Sequence, residues 1–312
     1  MEVFDKYLFY NIILLILVGV YLLKSNQDKK YGQSNFFGKT KIFQPVIEKF
    51  TTNLTQLAIE SKIDPVVGRD HEIKRLIQIL SRRKKNNVIL YGKAGIGKTA
   101  IVEGLAMAIS QARVPQSLLG KTVLKLDISS VLAGTKYRGE FEDRFKALID
   151  AIISLEKQVI VFIDEIHTIV QAGGVEGAID ADDIIKSPLA RGDLQMVGTT
   201  TTKEFKEFIL KDAALTRRFE AILVEEPSAE KTISMLKALR KDYEDYHNVI
   251  ISDKIIENIV SYSAKIKNRV FPDKAIDIMD EVSAKARLDH VDNNKTITIT
   301  NKDLSDVLKD FK

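Results

Sequence analysis

The sequence predicts an α/β fold: a parallel sheet flanked by helices, followed by a small, mostly helical subdomain and preceded by one transmembrane helix. Three observations carry that prediction. Between residues 64 and 226, short β-branched apolar runs alternate with amphipathic helical stretches, as in a parallel sheet wound through crossover helices. After Pro227 the helical periodicity continues almost without strands. At the other end, Tyr7 to Leu23 is an uncharged apolar run.

Composition sets the outer limits. The 312 residues include 47 basic and 43 acidic side chains, a formal net charge of +4, and 45% hydrophobic residues. That apolar content with so little net charge excludes disorder over most of the chain. The absence of cysteine excludes a disulfide framework, a cysteine nucleophile and thiolate-ligated zinc. Four scattered histidines, His71, His167, His247 and His290, do not compose a metal site. The basic excess is too small to indicate nucleic-acid binding by itself.

Taken in order, residues 1–24 are the candidate membrane anchor. The run YLFYNIILLILVGVYLL (Tyr7–Leu23) falls slightly short of a bilayer's roughly 30 Å hydrocarbon core, and Val3 and Phe4 can extend it. Tyr7, Tyr10 and Tyr21 suit the two interfaces. A cleaved signal peptide would want a basic start and a small-residue cleavage site, whereas this chain starts MEVFDK and continues KSNQ. A buried core helix would keep one polar face. Lys24, Lys29, Lys30, Lys39 and Lys41 follow the run and only Lys6 precedes it, which places the bulk of the chain on the cytoplasmic side. Residues 25–63 follow as a tether, polar and Gly/Ser/Asn/Gln-containing in its first part.

Residues 64–226 form the α/β subdomain. Val88–Tyr91, Thr122–Ile128, Val159–Asp164, Gln195–Thr200 and Ala221–Glu225 read as strands, several of them continuous apolar runs suited to burial on both faces. Phe141, Phe145, Leu148 and Ile152 recur at helical spacing between two of them. Residues 227–312 form the helical subdomain, with helices over 229–246, 253–266 and 273–289 and one short strand, TITIT, over 296–300.

Gly92-Lys-Ala-Gly-Ile-Gly97-Lys98-Thr99 matches G-x-x-x-x-G-K-[ST] between a strand and a helix, the context in which that pattern cradles phosphates. Without that context it would be a glycine-rich turn. Its backbone N–H groups and helix N-terminus favour anionic oxygens, Lys98 can reach the β- and γ-phosphates, and the Thr99 hydroxyl can ligate Mg²⁺. The strand Val159–Ile163 ends in Asp164-Glu165, where parallel-sheet ligands bind. Asp164 can hold Mg²⁺ through water, and Glu165 can orient or deprotonate an attacking water. Taken alone, the pair would read as a solvated acidic turn.

With these motifs placed, the chain resembles the first ATPase module of the Clp AAA+ unfoldases (ClpA, ClpB, ClpC). The likeness runs from Asp64 to about Phe311 and is carried by DPVVGRD (Asp64–Asp70), RRKKNNVILYGKAGIGKTA (Arg82–Ala100), AGTKYRGEFEDR (Ala133–Arg144) and VFIDEIHT (Val161–Thr168). LARGDLQMVGTTT, KDAALTRRFE and FPDKAIDIMDE continue it. The resemblance implies an AAA+ P-loop fold with a helical lid, ATP and Mg²⁺ as ligands, a hexameric ring and polypeptide substrates. It implies that Val66, Val67 and Gly68 back the adenine. The phosphate loop is Gly92, Lys93, Ala94, Gly95, Ile96, Gly97, Lys98, Thr99 and Ala100, with Ala94 where the family usually has proline. Thr201 falls at the position that helps place the attacking water. Arg217 and Arg218 match the arginine pair that reaches a neighbouring subunit's ATP; read alone they are a solvated basic pair. Tyr137, flanked by Lys136 and Arg138, matches the channel loop that grips substrate, although an exposed loop tyrosine is usually incidental. Residues 173–180 match a second channel loop. Lys274 is a candidate lid contact to phosphate, and His167 matches a structural histidine.

The chain also departs from the family pattern. A membrane anchor stands where the family has its N-terminal helical repeat domain, and Arg287–His290 runs almost directly into TITIT without the long coiled-coil insertion of ClpB. No second ATPase module with a loop for the ClpP peptidase follows, so a ClpP partnership is not supported. The expected function is an ATP-dependent protein-remodelling enzyme on the cytoplasmic membrane face. The alternative is an ATP-gated scaffold or regulator that co-assembles with a full-length Clp ATPase. A nucleic-acid remodeller is disfavoured, because the basic segment Arg82–Lys85 belongs to the stretch leading into the nucleotide site.

Overall fold

A computed structural model describes residues 44–135, 138–171, 181–290 and 296–309. The anchor proposed over Tyr7–Leu23, the gripping residues Lys136 and Tyr137, and the second channel loop over 173–180 all lie outside the described residues. Among the described residues no helix is long and apolar enough to cross a membrane. The chain divides into two compact units, Met1–Lys49 and Phe50–Lys312. Of the first, only residues 44–49 are described, in a short helix, Gln44–Phe50.

The second unit opens with β1 (Thr51–Asn53) and α1 (Leu54–Ile59), then α2 (Asp70–Leu80), β2 (Asn87–Tyr91) and α3 (Lys98–Ser110). Next come β3 (Thr122–Leu126), α4 (Ile128–Leu132), α5 (Arg138–Ile153), β4 (Val159–Ile163), α6 (His167–Gln171) and α7 (Ala181–Arg191). The sheet is completed by β5 (Met196–Thr200), α8 (Ala213–Arg218) and β6 (Phe219–Leu223). Its strand order is β1-β3-β4-β5-β2-β6. Every neighbouring pair is parallel except β1 with β3. β4 and β5 are buried at every residue, as central strands covered on both faces must be, whereas the edge strand β6 is exposed at Ala221 and Leu223. Leu76, Ile79, Leu90, Leu105, Phe162 and Val197 belong to the core of this layer. Helix α3 buries most of its middle there because the run from Ile101 to Ile109 is apolar except for Glu103.

The first two elements differ from the sequence reading. Residues 51–59, assigned to the tether, supply β1 and α1 of the folded unit: Thr51 to Asn53 pair antiparallel with Leu126 to Leu124, and the Asn53 side chain caps α1. A three-residue strand is too short to show a period, so composition alone does not reveal it.

The helical subdomain has a separate core, including Ile256, Ile259, Ile278, Met279, Val282 and Leu304. Its elements are α9 (Ala229–His247), β7 (Val249–Ile250), α10 (Asp253–Ser263), α11 (Asp273–Leu288), β8 (Ile297–Thr298) and α12 (Asn301–Val307). Local chemistry sets its helix ends. Ser228 and Ser252 accept backbone N–H bonds as N-caps, Asn248 in the left-handed region closes α9, and Thr300 with Asp303 forms a reciprocal capping box. The TITIT segment pairs in parallel with β7, and α12 follows it; β7 and α12 are additions to the sequence reading.

Candidate functional site

Sheet order builds the site. β5 lies between β4 and β2, with Ile163 opposite Gly198 and Tyr91 opposite Thr200. The carboxyl ends of three strands therefore bring Asp164, Thr199 to Thr201 and the loop from Gly92 side by side, where ligands of open α/β sheets bind. They line a cleft of about 440 Å³ with Val66 and Val67, residues 94–100, Glu103 and Glu165. Met235, Pro272, Asp273 and Ile276 of the helical subdomain line it too.

The loop fits a triphosphate. A Cβ on Gly92 would come within 2.4 Å of the Val224 carbonyl oxygen and 2.3 Å of Ile96 Cδ1. At Gly95, φ is +75° and a Cβ would meet the Asp273 side chain at 2.8 Å, so the loop's conformation and packing call for glycine there. The Lys98 ammonium donates to the carbonyls of Gly92 (3.1 Å) and Lys93 (2.8 Å), folding back over the loop. Burial pushes Lys98 below the usual lysine range, opposed by Asp164, Glu204 and Glu165. Anionic oxygens in the cradle would add to that opposition and favour the charged form. Lys93 itself is exposed, 3.9 Å from Glu226.

The acidic side fits Mg²⁺. The Thr99 hydroxyl donates to Asp164 Oδ2 at 3.2 Å, so the two candidate metal residues already meet. Thr199, absent from the sequence reading, is fully buried; its hydroxyl donates to Asp164 Oδ1 and accepts the Glu165 N–H at 3.0 Å. Its signal is its place in Thr199-Thr200-Thr201, but only strand pairing shows which threonine touches Asp164. Glu165 sits at φ +52°, a left-handed conformation costly for a non-glycine residue, and its exposed side chain lines the cleft. Glu103, one turn after Thr99, also lines the cleft; burial pushes its carboxyl upward and Lys125 pulls it back.

Thr201 lies at the cleft and caps the turn after β5. Its hydroxyl accepts the Glu204 N–H and donates to Glu204 Oε2, and that bond holds Glu204 below the usual carboxylate range. His167 Nδ1 is 3.5 Å from the same carboxylate and 3.2 Å from the Thr200 hydroxyl, a packed structural role consistent with its burial.

A second residue absent from the sequence reading is Arg69, only 4% exposed. Its guanidinium donates to the carbonyls of Ile96 (2.5 Å) and Glu225 (3.1 Å) and to Glu72 Oε1 (3.1 Å), tying the phosphate loop to the end of β6 and to α2. Replacing it with methionine should leave these acceptors unpaired and cost about 1–3 kcal/mol of stability. Denaturant unfolding checks this, and binding of a fluorescent ATP analogue should weaken in parallel.

The remaining candidates lie elsewhere. Gly68, at φ +75°, sits against Met235 beside the Val66–Val67 wall. Arg138 opens α5, and nothing about its side chain is described. Lys274 does not face the cleft: it is buried within the helical subdomain, donating to the Ile266 carbonyl and lying over the Phe271 ring. The expected phosphate contact is thereby corrected, because α11 turns Lys274 inward and presents Asp273 and Ile276 instead. Arg217 and Arg218 are exposed at the end of α8, outside the cleft lining. The Arg218 carbonyl accepts from Asn87, at the start of β2, whereas the phosphate loop follows its end. Five residues of strand, about 16 Å, therefore separate the pair from its own chain's nucleotide site.

Comparison with known proteins agrees with this architecture. Residues 88–225 match the model for the ATPase family associated with various cellular activities (AAA), and residues 228–311 match the AAA lid domain. The chain is 52% identical over 241 residues to the chaperone protein ClpB of Bdellovibrio bacteriovorus, covering 77% of this chain and 28% of that one. It is 52% identical over 273 residues to a ClpA homologue, an ATP-binding subunit of the Clp protease, from Cyanidium caldarium, covering 85% and 32%. The chain thus spans about a third or less of these relatives' length. Among solved structures, the closed state of Hsp104 with ATPγS and FITC-casein superposes with a TM-score of 0.76 at 36% identity, covering 83% of this chain and 44% of that one.

Proposed function

The chain belongs to the AAA ATPases as a Clp-type module with its lid, and from that premise we propose that it hydrolyses ATP at the interfaces of a ring and uses the energy to remodel polypeptides at a membrane surface. The observation that carries this reading is the separation of Arg217 and Arg218 from the cleft. A phosphate loop, a metal-binding pair and a water-orienting carboxylate share one cleft, while the cationic pair suited to the transferring phosphoryl group sits at the far end of the sheet. A second copy of the chain is the natural source of that charge.

In this mechanism Gly92 to Thr99 wrap the phosphates with backbone N–H groups, and Lys98 releases its loop carbonyls to bridge the β- and γ-phosphates. Thr99 and Asp164 would hold Mg²⁺, which when bound would supply positive charge against the phosphates. Glu165 orients the attacking water and accepts its proton, and Thr201, fixed by Glu204, offers that water a second polar contact. Val66 and Val67 supply an apolar wall for the base, and Met235 and Ile276 of the lid close over it.

The ring is proposed as a hexamer by resemblance, with Tyr137 and its neighbours Lys136 and Arg138 gripping an extended polypeptide in the channel. An aromatic ring holds varied side chains without reading their identity. Membrane attachment rests on Tyr7–Leu23, with the ATPase domain on the cytoplasmic side. Replacing Tyr137 with alanine should leave ATP hydrolysis within about twofold of the unaltered chain. It should at the same time abolish unfolding of a fluorescent reporter protein; equal loss of both would remove Tyr137 from the channel.

ATP hydrolysis measured against protein concentration, with Glu165→Gln as control, tests the reading as a whole. A specific rate that climbs with concentration and vanishes in the control supports shared sites. A flat rate no higher than the control would favour co-assembly with a full-length Clp ATPase instead.

A further inference from the structure

Lys125 occupies a position that neither the phosphate loop nor the acidic pair requires. It lies on β3 directly opposite Phe162 of β4, and its ammonium stands 5.7 Å from that ring's centre. Asp164 is two residues beyond Phe162 along the same chain, so period-two alternation returns it to the same face. The Lys125 ammonium reaches Asp164 Oδ2 at 3.6 Å, the same oxygen that accepts the Thr99 hydroxyl. Glu103 faces this cation as well. A built-in positive charge thus rests on the very carboxylate edge where the site would take its divalent cation.

We propose that Lys125 is an internal competitor for Mg²⁺, holding Asp164 in its absence and raising the Mg²⁺ concentration needed for metal-dependent nucleotide binding. The proposal rests on the assignment of Thr99 and Asp164 to the metal. Two like charges against one carboxylate edge repel, and the lysine is free to yield because its side chain is 37% exposed and its stem is flexible. Thr199 stays on Oδ1 throughout, so the carboxylate keeps its orientation while the partner on Oδ2 changes.

The test is equilibrium binding of a fluorescent ATP analogue to the full chain, titrated with Mg²⁺, in a Glu165→Gln background so that nothing turns over. Lys125→Met keeps the stem over Phe162 and removes the charge; it should lower the Mg²⁺ midpoint about two- to fivefold, the scale of a partly exposed ion pair. Lys125→Arg keeps the charge, and its midpoint should stay at or above that of the Lys125 chain. An unchanged or higher midpoint in Lys125→Met overturns the proposal. A drop in Lys125→Arg equal to that in Lys125→Met overturns it too, since packing and not charge would then be responsible. Asp164→Asn separates the two levels. If it abolishes the Mg²⁺ dependence while Lys125→Met changes nothing, the metal assignment stands and only the competition fails. If the Lys125 chain shows no Mg²⁺ dependence at all, both fall.

Discussion

Glu165→Gln should bind ATP as tightly as the unaltered chain and hydrolyse it at least 10²-fold more slowly, since general-base groups contribute about that much or more. The two adjacent carboxylates differ in their surroundings. Asp164 is engaged on both oxygens, by Thr199 on one and by Thr99 and Lys125 on the other. Among the described residues no hydrogen-bond or ion-pair partner holds the Glu165 carboxylate, although its backbone N–H is fixed by Thr199. An anchored carboxylate suits a metal; an unanchored one on a fixed backbone suits a water. Asp164→Asn should therefore weaken binding of the nucleotide in a Mg²⁺-dependent way, whereas Glu165→Gln should lower kcat alone. Single-turnover rates and binding isotherms of a fluorescent ATP analogue distinguish the two. Equal loss of affinity in both variants would show that the division of labour is wrong.

Much of this site is legible in the amino-acid sequence, for identifiable reasons. Gly92 to Thr99 is a contiguous motif whose chemistry depends on local backbone, and Asp164-Glu165 ends a strand whose apolar run announces burial. The residues that sequence patterns do not reveal act across elements. Thr199 meets Asp164 because β5 pairs with β4, Arg69 reaches Ile96 and Glu225 from 27 and 156 residues away, and Lys125 meets Asp164 through the pairing of β3 with β4. No periodicity encodes such pairings. Lys274 shows the converse error: by resemblance its place at the start of a lid helix makes it a candidate phosphate contact, but the rotational phase of α11 places it inward over Phe271. Residues 51–53 escape for a third reason, since so short a strand is defined by its pairing with β3 and not by its own pattern.

The double variant Arg217→Ala/Arg218→Ala should lose about 10³-fold or more in hydrolysis while folding and binding nucleotide normally, because both side chains are exposed and lie outside the cleft. The decisive form of this experiment is mixing. A Glu165→Gln chain keeps its arginines and lacks the water-orienting carboxylate; the double variant keeps the carboxylate and lacks the arginines. Each alone should be inactive. In an equal mixture, an interface works when the double variant supplies the cleft and the Glu165→Gln chain supplies the arginines. Random head-to-tail assembly places that arrangement at about a quarter of interfaces, so about a quarter of the unaltered rate should return. If the arginines served their own chain's cleft, no mixture could restore activity, since neither chain would hold a complete site. The separation of about 16 Å along β2 and β6 is longer than an arginine side chain, so restoration in the mixture is the expected outcome.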